Sequence, residues 1–448
     1  MRTGLRTARA AAPTAATTAP RFAGWVLLCL FAGQAARNLV GWPGYLALVL
    51  GLGAYVGWSL WRLRRDPRML ALPPELIAFL LFCACSLLWS NYQWATVLGL
   101  LAQWATAAAG IWLAITLTWD ELLQALSWAL VRILAVSISF EIFVTVAVRD
   151  RLAPLGSGYG PGAPGAFFWS ENLLPAGGPI QGIVGNRNLL AFAALLALVT
   201  VTARVLVGVR ERYAIASILL AVLTLALTRS ATVVAVGAGL AMLVAVLVSM
   251  PRVPHPARRL LQAGILTAMA VGLAAVLSVL PAALGLLGRT DLTNRVDIWR
   301  RVLKLVEERP ALGWGWVSYW APWVRPYDDL VVIDGVEYLQ AHNALLDVLL
   351  QVGVVGAAVA GVLAAAALVR GWTAAMGARP GGPRAPGWWP FLVLCALLAQ
   401  ALTESRLLIE GNWALFVALS VKLAFDQWTR AGRSPFTRAE PADVNIGA

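Results

Sequence analysis

Histidine and lysine are nearly missing from this chain. Two histidines, at 255 and 342, and two lysines, at 304 and 422, are all that its 448 residues contain. Charge of any sign is scarce, at 13% of residues against roughly a quarter in a soluble domain. With 60% hydrophobic residues, that balance excludes an ordinary soluble domain. Cysteine occurs four times, at 29, 83, 85 and 395, always inside an apolar run, where it behaves as a small hydrophobe. Cys83 and Cys85 are two positions apart and face nearly opposite sides of a helix, so they cannot share a metal. Neither a disulfide framework nor a zinc site is expected. Internal repeats are also absent.

What is present is arginine and long apolar runs. Mean hydropathy is +0.74 and the formal charge is +13. Runs of about 20 apolar residues match a bilayer core of about 30 Å. Twelve candidate helices cover roughly 22–40, 43–61, 74–90, 94–118, 121–148, 188–208, 213–228, 231–250, 260–287, 343–369, 388–403 and 413–429. The "GWPG" at 41–44 reads as the turn between the first two. The expected fold class is an all-α polytopic membrane protein of about 12 transmembrane helices. A large, partly helical outer loop separates helices 9 and 10. The integral domain is 22–429, flanked by a disordered basic tail, 1–21, and a second tail, 430–448.

Arginine sets the expected orientation. With the N-terminus in the cytoplasm, the inside segments hold clusters such as Arg62, Arg64, Arg65 and Arg68, while the short outside turns hold few. The positive-inside rule then places both termini in the cytoplasm, and the membrane accounts for the basic balance without nucleic acid. Two long segments, 149–187 and 288–342, fall outside, and long loops in compact proteins are usually functional or disordered.

The second loop carries chemistry. Val296, Trp299, Leu303 and Val306 recur at helical spacing, with Thr293 as cap, Pro310 as stop, and Arg295, Arg300, Arg301 and Lys304 on the polar side. Either a helix lying on the membrane or a ligand-facing helix fits. Trp314, Trp316, Trp320 and Trp323 follow; indoles mark headgroup level and also suit the apolar faces of sugar rings. Arg229 sits at a boundary between spans, as a snorkelling side chain or a functional one. Arg406 has Glu404 and Glu410 nearby and is expected to pair. His342 opens a hydrophobic helix, with Asn343 beside it and Asp347 just beyond. The helix dipole disfavours its protonated form there. It reads either as a structural hydrogen-bonder or as a neutral general base.

Four patterns in order resemble the O-antigen ligase and polymerase superfamily of bacterial envelope glycosyltransferases. They are "GNRNLLA" at 185–191, "TRSA" at 228–231, "RVDIWRRVLKLVEERPALGWGW" at 295–316 and "HNALLDVLLQVGVVG" at 342–356. The resemblance covers roughly 185–360 directly. It implies transfer of a glycan from an undecaprenyl-pyrophosphate carrier to a sugar hydroxyl on a glycan or glycolipid acceptor. The reaction would take place on the outer face of the cytoplasmic membrane, inverting the anomeric centre without metal or cofactor. His342 matches the family's base, and Arg229 and Arg295 match its essential arginines. Arg187 and Arg300 are further candidates for the anion site. Asn186, Trp299, Asn343, Trp314 and Trp316 are candidates for substrate binding. Asp328, Asp329 and Asp334 read as a solvated acidic loop without ligand-like spacing.

Ligase and polymerase are close alternatives, with a lean toward the ligase type. A glycosyltransferase with an acidic base on the first outer loop lacks that acid here. A ten-span peptidoglycan polymerase fits the His-Asn pair poorly. A transporter or flippase would show repeats and midplane polar sites, and a scaffold would tolerate loss of His342.

Overall fold

The computed structural model describes residues 19–160, 162–208, 213–249, 257, 260, 261, 264, 290–333, 335–377 and 387–430. Most of the ninth expected span, His255, Asp334, and nearly all of both expected tails lie outside the described residues. Twelve α-helices are described. They are α1 Ala19–Phe31, α2 Gly33–Arg62, α3 Pro74–Cys85, α4 Gln93–Thr116, α5 Trp119–Phe143, α6 Arg187–Leu206, α7 Ala214–Thr228 and α8 Ala231–Ser249. Then come α9 Thr290–Glu308 in the outer loop, α10 Ala344–Met376, α11 Trp388–Ala401 and α12 Glu410–Arg430. Short 3-10 and π-helical turns and a two-residue β-ladder, Val332–Ile333 with Val336–Glu337, complete the regular structure of the described residues. Among the described residues, six helices are long and apolar enough to cross a membrane: α2, α4, α5 continued to Val148, α6, α8 and α10. The chain is an all-helical, multi-pass membrane protein.

The first two helices differ from the expected pair. The boundary falls between Phe31 and Gly33, and "GWPG" becomes a kink inside α2, where Gly41 has φ 67° and Pro43 continues the helix. Proline lacks the N–H that would bond back across the kink. At the other loop, α9 starts at Thr290, so Thr293 lies inside the helix and is not its cap. Its buried face is also rotated from the expected stripe. Arg295, Ile298 and Val302 are buried, whereas Leu303 is exposed.

The centre of the bundle is α12, buried along almost its whole length and packed on α4, α10, α11 and α1. A side chain at Gly110 of α4 would stand 2.5 Å from the carbonyl of Ala414, which is why a small residue sits at this contact. Polar side chains reach in from one end of α12, where the ammonium of Lys422 donates to the carbonyls of Ala114 and Leu117.

The bundle's two ends differ. At one, the turn after α3, the segment 149–186, the α7–α8 turn, the outer loop and the α11–α12 connection touch one another. Segment 149–186 is held by Glu141 of α5, which accepts from Ser170 Oγ at 2.7 Å and from the backbone N–H of Gly182 at 2.7 Å. Arg132, earlier on the same helix, lies over the ring of Trp128 at 3.9 Å.

The outer loop is built into α10 rather than resting on it. The helix breaks at Gly353, with φ 65°, where a side chain would lie 2.3 Å from the carbonyl oxygen of Ala311. The groups freed by the break are taken up by the loop. Trp314 N–H donates to Leu350 O (3.0 Å), Gly315 N–H to Gln351 O (2.8 Å) and Val354 N–H to Pro310 O (2.8 Å). The Gln351 side chain accepts from the N–H groups of Val317 and Ser318, both at 2.8 Å. A broken helix is tolerated in a membrane protein when its backbone groups find other partners. The Pro-x-Leu-Gly-x-Gly pattern is that partner, and Gly353 faces this loop rather than a neighbouring helix.

Candidate active site

Glu404, in the short connection between α11 and α12, is where the quoted patterns meet. Its Oε1 accepts from Arg295 Nη2 at 2.8 Å and from Asn188 Nδ2 at 3.1 Å. Its Oε2 lies 3.0 Å from His342 Nδ1. Asn188 Oδ1 accepts in turn from Ser230 Oγ at 2.8 Å. One carboxylate therefore gathers α6, the α7–α8 turn, α9 and the start of α10. Arg406, two positions on, pairs instead with Glu410 at 3.2 Å.

His342 is held by its backbone neighbours. It has φ 50°, a left-handed conformation uncommon outside glycine. The preceding residue is fixed from both sides: Asp347 accepts from Ala341 N–H at 3.1 Å, and Trp299 Nε1 donates to Ala341 O at 2.9 Å. The following residue, Asn343, caps α10, its Oδ1 accepting from Leu345 N–H at 3.0 Å, while its own N–H donates to Ser405 Oγ at 3.1 Å. Strain of this kind persists where surroundings over-determine it. The ring packs edge-on to Tyr338. Its Nδ1 faces Glu404, which leaves Nε2 without a hydrogen bond among the described residues. Arg295 likewise has one nitrogen, Nη1, buried and without a partner among the described residues.

The electrostatics follow from this crowding. Burial alone would raise the Glu404 carboxyl. The charge of His342, its hydrogen bond, and the charges of Arg295 and Arg406 prevail and hold it at about 2, against an ordinary value of 4.5. Glu404 is thus an anion, suited to fix a proton on His342 Nδ1 and to orient one face of the Arg295 guanidinium.

Of the residues expected from the sequence, Arg295 and His342 are brought together. Arg229 is one residue away from the network. It ends α7 with φ 49° and donates from Nη2 to Ala176 O at 3.0 Å, while its neighbour Ser230 joins Asn188. Arg187 opens α6, half-buried.

Other expected residues have local partners. Asn186 is the N-cap of α6, its Oδ1 accepting from Asn188 N–H at 2.9 Å, so the neighbouring Asn188 reaches the site instead. Asn343 is a cap as well. Trp299 supports the His342 backbone through its indole N–H. Trp316 is fully buried against Phe79 and has no face to offer a sugar. Arg300 is exposed and pairs with Asp297 of its own helix at 2.9 Å. Trp314 lies away from Glu404, its N–H donating to Leu305 O at 2.9 Å.

Sequence reasoning missed Glu404 as the hub and Asn188 as its link. The available signal was a carboxylate in a short connection at the end of the bundle where His342 starts its helix. Among the described residues, no three His, Cys, Asp or Glu side chains gather as a ligand set.

No curated protein matches the chain. A family model does, the one described as O-antigen ligase, over residues 214–361. That segment runs from α7 through α9 and the outer loop past the break in α10. It includes Arg229, Arg295 and His342 and stops short of Glu404. This match supports the O-antigen ligase and polymerase superfamily as the one to which the chain is related.

Proposed function

We propose that the protein transfers a glycan from an undecaprenyl-pyrophosphate carrier to a sugar hydroxyl, with ligase-type chemistry, at the outer face of the cytoplasmic membrane. The observation that carries this reading is the Glu404 hub. It binds one side of Arg295 and one nitrogen of His342, and leaves Arg295 Nη1 and His342 Nε2 for substrate. The acceptor hydroxyl gives its proton to Nε2 as its oxygen attacks the anomeric carbon. The bond from that carbon to the pyrophosphate oxygen breaks, and the electron pair leaves with the pyrophosphate. Attack opposite the leaving group inverts the centre. Arg295 and Arg229 stabilise the charge that develops on the leaving group; preorganised donors of this type contribute most in a site shielded from water. With guanidinium groups in that role, the proposed reaction uses no metal or other cofactor.

The test is mass spectrometry of carrier-linked glycans in cells lacking this gene, complemented with wild type or His342→Ala. Long carrier-linked chains should accumulate in the deletion strain and in the His342→Ala strain, and wild type alone should clear them. Accumulated single repeat units would identify a polymerase instead. Full rescue by His342→Ala would remove the base from the mechanism.

A further inference from the structure

The same end of the bundle carries a concavity that the Glu404 network does not use. It is an open cleft of about 550 Å³, lined by Asn91, Trp94, Trp314, Trp323, Arg325 and Asp328, with Tyr92 among its other residues. Trp94 comes from α4 and Trp323 from the outer loop. Their rings lie nearly parallel, 16° apart in plane with centroids separated by 6.1 Å. Both indoles are exposed, at 52% and 66%. Arg325 and Asp328 face each other at 3.6 Å in the same cleft.

The walls are fixed before any ligand arrives. Tyr92 of the lining and Tyr327 of the outer loop are buried with their hydroxyls 2.8 Å apart. Trp314 is held by its bond to Leu305 O, and the Arg309 guanidinium lies over its ring at 4.3 Å. None of the six lining residues named above bonds to Arg295, His342 or Glu404 among the described residues.

Exposed tryptophans near a membrane surface commonly anchor in the headgroup layer. Three features of this cleft favour a different ligand. The indoles are paired across a concavity rather than spread in a belt. A carboxylate, a carboxamide and a guanidinium share the concavity with them, and the carboxylate is ill suited to an anionic lipid surface. The volume lies within the roughly 300–1,000 Å³ of sites that enclose a small ligand, aromatic-lined with a few placed polar groups.

We propose that this cleft is a glycan subsite that holds sugar rings remote from the reacting bond. Their C–H faces lie on Trp94 and Trp323, and their hydroxyls bond to Asn91, Arg325 and Asp328. The assignment rests on the reading of the chain as a glycan transferase. Binding far from the reacting centre is a source of substrate selectivity that chemistry at His342 alone cannot supply.

The test uses the full chain in lipid nanodiscs. The probe is glycan released by mild acid from the envelope of the source cells and fractionated by length. Binding is read by saturation-transfer NMR for wild type, His342→Ala, Trp323→Ala and Arg325→Ala. Arg325 has a side chain 93% exposed, so its replacement guards against a folding defect. Wild type and His342→Ala should bind the longer fractions alike, and the two cleft variants about tenfold or more weakly. In transfer assays the cleft variants should raise KM for long glycans more than for short ones. Unchanged affinity in both cleft variants overturns the subsite, as does absence of binding by wild type. So does an effect confined to membrane insertion, which would make Trp94 and Trp323 anchors. If instead His342→Ala transfers as well as wild type, the mechanism fails, while the binding comparison still decides the cleft.

Discussion

Glu404 meets Arg295 through one oxygen and His342 through the other, so exchanging its carboxylate for an amide disturbs both partners. In Glu404→Gln an amide N–H facing Nδ1 would force that nitrogen to accept, moving the imidazole proton to Nε2. The wrong nitrogen is then protonated for a base. The expected result is a fall in kcat of about 10²–10⁴-fold, the usual range for a positioned acid–base group, with the fold retained in a thermal melt. The same carboxyl predicts an acid limb. Its value in the folded chain, about 2, lies below the ordinary 4.5. A depressed acid contributes stability that is complete above the unfolded value and lost as pH falls through the folded one. Melting temperature should therefore decline between about pH 4.5 and pH 2, and that part of the decline should be missing from Glu404→Gln. The sequence motifs made His342 and Arg295 readable as residues. Glu404 was not, because its role depends on partners 62 and 109 positions away, a separation without any local pattern. The capping roles of Asn186 and Asn343 were hidden for the opposite reason: an Asn opening a helix looks the same whether it caps or binds.

The break in α10 is the feature that most constrains the elements around the site. Gly353→Ala puts a methyl group at φ 65° and against Ala311 O. A strained backbone position costs about 1–3 kcal/mol, and the steric contact adds to it. A drop of several degrees in the melting temperature of detergent-solubilised protein is expected, with transfer lost in step. Asn343→Ala removes a cap worth about 1 kcal/mol and loosens the backbone beside His342. Its melting temperature should fall less than that of Gly353→Ala, yet its transfer rate should fall clearly. Hydrophobic runs located most helices well, since a span of fixed length leaves a strong signal. Helix α9 was harder. Its stripe of apolar residues fits two rotations, and the arginine that belongs to the buried face was assigned to the polar one. Burial of Arg295 against Glu404 reverses the rule by which periodicity is read.

At the scale of the molecule, the end of the bundle opposite the site is tied by basic side chains. Arg68 donates to Ile115 O at 2.6 Å, and Arg370 pairs with Glu75. This is the end that carries the arginine-rich connections, which the positive-inside rule assigns to the cytoplasm. A fluorescent-protein fusion at the C-terminus should be bright, and alkaline phosphatase inserted within 149–187 should be active; the reverse pattern would invert the topology. The central helix has a further consequence for biogenesis. Though it forms the core, α12 is not among the helices apolar and long enough to cross a membrane unaided. It follows every other described helix in the chain, and Glu404 only just precedes it. Arg295 and His342 thus lack Glu404 until the α11–α12 hairpin packs against helices already in place. Under the proposed function, transfer waits on synthesis of this hairpin. A chain cut short anywhere before residue 404 lacks the carboxylate that joins Arg295 and His342, and under the proposed mechanism it should show no transfer.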